Sequence, residues 1–141
     1  MTHFKMDQIK VEQFAILEDK LPQDEIDFSA ELMHGASKED KVIAIRLKVS
    51  YTSKETLLLV SVISCMFKIE LESWQEWIKD NQVIVPRSFI AHLAMHTFGT
   101  ARGILFAKSE GTPYQQLILP PTNVDAMIRK IILLRNNLIW N

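Results

Sequence analysis

The chain has 141 residues, 48% of them hydrophobic, and a formal net charge of −1. That length makes one domain with a sizeable core, and the near-neutral balance gives no basis for nucleic acid or an anionic membrane as partner. No run of about 18 apolar residues occurs, MTHFKMDQIK has no apolar leader core, and the single cysteine, Cys65, excludes an internal disulfide framework; a cytoplasmic protein without membrane insertion is expected.

Residues 8–17, QIKVEQFAIL, alternate apolar and polar and then slip phase: Ile9 and Val11 hold one parity, Phe14 and Ile16 the other. The slip predicts a strand with a bulge near Gln13. EDKLPQDE is a short acidic link punctuated by Pro22. Ile26, Phe28, Ala30 and Leu32 then alternate with Asp27, Ser29 and Glu31 as a half-buried strand does, and HGASKED reads as a turn. The third strand, KVIAIRLKVSYT, places Ile43, Ile45, Leu47, Val49 and Tyr51 on one face and Arg46, Lys48 and Ser50 on the other. SKE returns the chain into TLLLVSVISCMFKIELES, long enough that a bend near Ser64-Cys65 is expected. Short links between successive strands predict antiparallel neighbours over residues 8–72.

Ser73-Trp74-Gln75-Glu76 has the form of a capping box and predicts a short helix over 73–80. Residues 86–110 predict one long helix. Pro86 suits its first position, Lys108 falls in its last turn, and Gly111 can take the left-handed conformation beyond the end. Phe89, Ile90, Leu93, Ala94, Thr97, Phe98, Ala101, Ile104 and Leu105 spread over more than half of its circumference. A helix apolar on several sides must be covered on several sides, and one small subunit has a single sheet to offer. A second copy is therefore expected on the far side. Phe89, Leu93, His96, Gly99, Thr100, Gly103 and Ile104 would form that contact, the small residues letting two backbones approach. The alternative is a central helix wrapped by its own chain.

After the extended linker TPYQQLILPP, Thr122 and Asp125 form a second capping box. It opens a last helix over 122–137, with Val124, Met127, Ile128, Ile131 and Leu134 on the buried face. Strands first and helices after predict an α+β fold: a four-stranded antiparallel sheet with two main helices on one face. The other face, carrying Asp27, Glu31, Arg46, Lys48 and Glu70, should meet water or a polar partner.

Nothing in the chain composes a catalytic centre. His92 and His96 have the spacing of two metal ligands, but HLAMH lacks the glutamate of the metalloprotease motif and no third ligand is evident. The pair reads as packed or interface histidines, with no metal. Cys65 has no placed His–Asp partner, and Asp24, Glu25 and Asp27, like Glu70 and Glu72, read as solvated charge. Gly99 and Gly103 sit inside a helix and make no phosphate loop. No enzymatic activity and no cofactor are expected.

SEGTPYQQLILPPTNVDAMI resembles the signature of the SecB protein-export chaperone family: a Gly-Thr-Pro turn after the long helix (Gly111-Thr112-Pro113), a strand-like linker (Leu117 to Pro121), and an Asn-x-Asp-Ala start to the final helix (Asn123 to Ala126). The upstream strands match in pattern and spacing. The resemblance implies one SecB-like domain over 1–141 and a homotetramer built as a dimer of dimers, with the long helices between the sheets. It implies ATP-independent holding of unfolded or precursor polypeptides in export, without catalysis. It also implies the SecA motor as a partner. Three departures argue against SecA: the short EDKLPQDE connection, Ser61 where a SecA-contacting glutamate is expected in an otherwise acidic family, and an end at Leu138-Ile139-Trp140-Asn141 with no acidic tail. Relatives dedicated to one partner, such as an antitoxin, are the alternative, and a ligand-binding α+β domain is the reading that competes with both.

Holding requires exposed, adaptable apolar surface. Ile26 and Phe28 on the second strand, Trp74 and Trp77 in WQEW, and Met127 and Ile131 on the last helix are the candidate client contacts. Asp27, Glu31 and Glu70 are the candidate partner-facing residues of the open sheet face.

Overall fold

Alternation of period two dominates the first half of the chain, and that half folds as one antiparallel sheet. The computed structural model describes residues 2–124 and the backbone of 132–134. β1 (Phe4–Ile16), β2 (Asp27–Ser37), β3 (Val42–Ser53) and β4 (Thr56–Ile69) lie side by side in the order β1-β4-β3-β2. β2, β3 and β4 form a meander, whereas β1 pairs with β4 and not with β2. That corrects the expectation of neighbours in chain order. Residues 17–26 are too long for a tight hairpin and instead cross the end of the sheet, where the Leu17 N–H donates to the Leu58 carbonyl at 2.8 Å. The result is a Greek key. β1 also starts earlier than position 8, and β4 runs through Ser64-Cys65 as a single strand where a bend was expected.

Two register shifts interrupt the β1–β4 ladder, between Met6 and Gln8 and between Val11 and Gln13. Asp7 and Glu12 are the extra residues, and the second bulge lies where the hydrophobic phase slips. Beyond it Phe14 and Ile16 stand opposite Ser61 and Leu59, on the same face as the core residues.

One face of the sheet carries Ile43, Ile45, Leu47, Val49 and Tyr51 beside Leu59, Ile63, Cys65, Phe67 and Ile69, all buried. Across it lies the long helix. A short helix, α1 (Leu71–Glu76), comes first, then a hairpin of β5 (Ile78–Lys79) and β6 (Gln82–Val85). α1 begins two residues before the expected capping box, and its N-cap position, Glu70, makes no side-chain capping hydrogen bond. The helix expected to reach residue 80 stops at 76 because Asp80-Asn81 forms the two-residue turn of a hairpin, both at positive φ (51° and 63°). Asp and Asn tolerate that conformation best among residues with side chains.

α2 (Arg87–Lys108) follows, with Pro86 at its N-cap and Gly111 at φ 81° just beyond its end. At 1.5 Å per residue it is roughly 33 Å long. Ile90, Leu93, Ala94, Thr97, Phe98, Ala101 and Leu105 are buried against the sheet. A 3₁₀ turn, Pro113–Gln116, is capped by Thr112, whose hydroxyl oxygen accepts from the Tyr114 N–H at 3.2 Å. The linker then returns along α2, where Arg102 Nε donates to the Leu119 carbonyl at 2.7 Å.

β7 (Ile132–Leu134) pairs antiparallel with β6, so this part of the helix expected over 122–137 is a strand. A short run of branched apolar residues suits either structure, and an open edge at β6 decides for pairing. Residues 125–131 and 135–137 of that expected helix, Met127 and Ile131 among them, lie outside the described residues.

Candidate functional site

The solvent face of α2 and the edge strand β1 make the most unusual surface of the described residues. β1 runs beside α2 and is fastened to it at both ends. Phe4 packs edge-on to Phe89, His92 and His96, with ring centroids 5.5, 5.6 and 5.7 Å away. At the other end the Lys108 ammonium sits 5.7 Å from the centre of the Phe14 ring, within cation–π range. Between these fastenings Ile9 and Val11 stand opposite Cys65 and Ile63, on the helix side of the sheet, yet are 50% and 39% exposed.

α2 likewise presents no side chain at two positions of its solvent face. Gly99 and Gly103 are exposed, and a Cβ built on either would meet no atom within 4 Å. Two glycines in the middle of a solvent-facing helix each cost about 0.5–1 kcal/mol relative to alanine, with no steric need inside this chain. On the same face Met95 is 62% and Phe106 48% exposed. His92, His96, Gly99, Gly103 and Phe106 recur at intervals of 4, 3, 4 and 3, the spacing of a helix–helix seam.

The structure divides the expected contact residues. His96, Gly99 and Gly103 are exposed on this seam, and Thr100 and Ile104 are half-buried. Leu93 is fully buried in the chain's own core, and Phe89 is half-buried against Phe4 and Trp77. Neither was separable from the seam by composition alone, because the helix is apolar on both sides.

Of the expected client contacts, Trp74 and Trp77 are core residues, 2% and 8% exposed, with ring centres 6.1 Å apart and Trp77 packed against Phe89 at 5.1 Å and a 48° tilt. A one-and-a-half-turn helix followed by a hairpin folds both indoles onto α2, so neither is free for a partner. Phe28 is half-buried beside Tyr51, and Ile26 is half-buried at the sheet end. Ile9, Val11, Met95 and Phe106 are among the exposed apolar residues that sequence patterning did not single out as contacts, with Leu17, Leu71 and Ile118 exposed elsewhere. On α2 the signal was present as glycine at 99 and 103, where the helix presents no side chain.

The opposite face of the sheet mixes apolar residues, Ala44, Val60, Val62 and Met66, with charged ones, and carries an ion-pair network. The bulge at Glu12 turns its carboxylate onto Arg46, which donates from Nε at 2.5 Å and from Nη2 at 3.0 Å; Ser64 Oγ donates at 2.7 Å. Burial pushes the Glu12 carboxyl up, but the hydrogen bonds from Arg46 and Ser64 and the charges of Arg46 and Lys10 outweigh it and hold it below the ordinary value. Asp27 and Glu31 are exposed on this face, opposite Thr52 and Lys48. Glu70 is not: it sits past the end of β4 and accepts from Ser73 Oγ at 3.2 Å. Ser61 faces the helix side and is buried, so no partner of the open face reaches that position. Burial raises the Cys65 thiol above its ordinary value, against hydrogen bonds with Thr97 and Thr100, which suits a core side chain and not a nucleophile. Among the described residues no helix is long and apolar enough to cross a membrane.

No protein-family model and no curated sequence matches the chain. Among solved structures it is similar to the Mycobacterium tuberculosis Rv1957 SecB-like chaperone, in complex with a ChAD peptide from the Rv1956 HigA1 antitoxin. That match has a TM-score of 0.52 and 12% identity, and covers 84% of this chain and 83% of the other. A protein of unknown function from Streptococcus agalactiae aligns more loosely, at a TM-score of 0.34 and 16% identity over 78% of this chain and 90% of its own. The chain therefore has an α+β architecture, a four-stranded antiparallel sheet with helices on one face, that is shared with a SecB-like chaperone.

Proposed function

We propose that this protein is an ATP-independent holding chaperone of the cytoplasm, assembled as a dimer of dimers through α2, that binds unfolded polypeptides along the strip between β1 and α2. The observation that carries the reading is the exposed apolar set of Ile9 and Val11 on β1 with Met95 and Phe106 on α2, beside two exposed helical glycines. A lone subunit gains nothing from leaving that strip bare, whereas a holdase needs such surface. Each exposed apolar side chain covered by a partner contributes about 1.5–3 kcal/mol, so a few contacts suffice for micromolar binding. The seam of Gly99, Gly103, Met95 and Phe106 serves assembly, and the β1 side serves clients. No catalytic step is part of this function, and SecA coupling is left out because Ser61 is buried.

The test is suppression of aggregation of a chemically unfolded client without nucleotide, at one tetramer per client. Wild-type protein delays aggregation, and the pair Ile9→Asp with Val11→Asp loses that effect at unchanged mass in solution. Met95→Asp with Phe106→Asp lowers the mass. A wild-type monomer that delays no aggregation overturns the proposal. The solved complex of the similar chaperone with an antitoxin peptide favours a second reading, a chaperone dedicated to one partner. Recovery of a single partner protein in a pull-down, in place of a broad set, decides for it.

A further inference from the structure

We propose that His92 and His96 form a two-imidazole chelate for a zinc-class divalent metal ion on the solvent face of α2. Residues four apart on a helix project from one face, one above the other. Here the two rings are 4.9 Å apart, centre to centre, at 87° to each other, and both are exposed. Their described ring contacts are with each other and with Phe4, whose ring meets both edge-on. Neither imidazole donates to or accepts from another described residue, so ring nitrogens remain available to an ion. Imidazole pairs suit zinc, nickel and copper rather than magnesium or calcium.

The other two histidines do not join the pair. His34 lies on the core side of β2, opposite Ile45, and His3 precedes Phe4 on a strand whose successive side chains point to opposite faces. No cluster of three or more His, Cys, Asp or Glu forms among the described residues. The chain therefore supplies two ligands, and water or the same pair of a facing copy supplies the rest. The inference stands apart from the chaperone reading, because both protein ligands of the pair come from a single chain whether or not copies assemble.

The experiment is titration of tag-free protein with zinc ion, and separately nickel ion, in a non-coordinating buffer, followed by calorimetry and native mass spectrometry. Saturable binding is expected, with affinity falling at least about tenfold in His92→Gln and in His96→Gln, on the scale seen when a metal's supporting groups are removed. His3→Gln binds as wild type. Circular dichroism checks that each variant is folded. One ion per chain supports a chelate completed by water, and one ion per two chains supports the same chelate shared across the seam. Absence of saturable binding in wild type, equal affinity in both pair variants, or loss of binding in His3→Gln overturns the proposal. Aggregation suppression measured in His92→Gln separates this result from the chaperone reading.

Discussion

Single residues carry the electrostatics of the open face and the blemishes of the core. The bulge places the Glu12 carboxylate on a guanidinium and a hydroxyl, and a charged, partly buried network of that kind is costly to break. Glu12→Gln is expected to lower stability at pH 7 by about 1–3 kcal/mol. Because the folded carboxyl is held below its ordinary value, its contribution is complete above that ordinary value and is lost as pH falls through the lower folded one. Urea unfolding at pH 7 should therefore separate the variant from wild type, and at pH 3 the gap should narrow. Tyr114 shows the reverse case. Its ring is 1% exposed, and its hydroxyl finds no hydrogen-bond partner among the described residues. Burial, and then the charges of Glu18 and Asp19, push its ionisation up. Removing an unsatisfied hydroxyl while keeping the ring is close to neutral or favourable, so Tyr114→Phe should match or exceed wild type in thermal unfolding, by up to about 1 kcal/mol.

At the scale of elements, two turns differ in how well their residues suit them. The β5–β6 turn uses Asp80-Asn81, whereas the β3–β4 turn holds Lys54 and Glu55 at φ 48° and 68°. Left-handed backbone costs a residue with an ordinary side chain roughly 1–2 kcal/mol, and the exposed Lys54–Asp24 pair at 3.3 Å offsets little of it. Lys54→Asn with Glu55→Gly is expected to raise the urea midpoint by an amount worth about 1–2 kcal/mol. α2 invites a substitution with two opposite readouts. Gly99→Ala and Gly103→Ala meet no atoms in the chain, so each should stabilise the subunit by about 0.5–1 kcal/mol. If helices meet along this face, the same methyl groups keep them apart, and sedimentation should show weaker assembly. A gain in both stability and mass would remove the seam from the proposed assembly.

The whole molecule explains which parts of this arrangement were legible beforehand. Strand faces were, because burial of one face imposes a period of two: the inward set Ile43, Ile45, Leu47, Val49 and Tyr51 is read directly and is buried. The bulge near Gln13 was legible for the same reason, since an extra residue must shift that period. Strand order was not. Whether β1 lies beside β2 or β4 depends on where a ten-residue link crosses, and local pattern carries no information about that path. The indoles of Trp74 and Trp77 were misplaced by the same blindness. A polar short helix looks exposed until the hairpin behind it closes the ring pair onto α2.

What the chain determines by itself is local and periodic: four amphipathic strands, a long helix between Pro86 and Gly111, and glycine where a helix would ordinarily place alanine. What only the tertiary structure decided is which apolar residues remain in water. The sheet covers one side of α2 and takes Leu93, while Met95 and Phe106 on the other side and Ile9 and Val11 on the edge strand stay bare. Hydrophobicity is a property of each residue, whereas exposure belongs to the neighbours that packing brings to it.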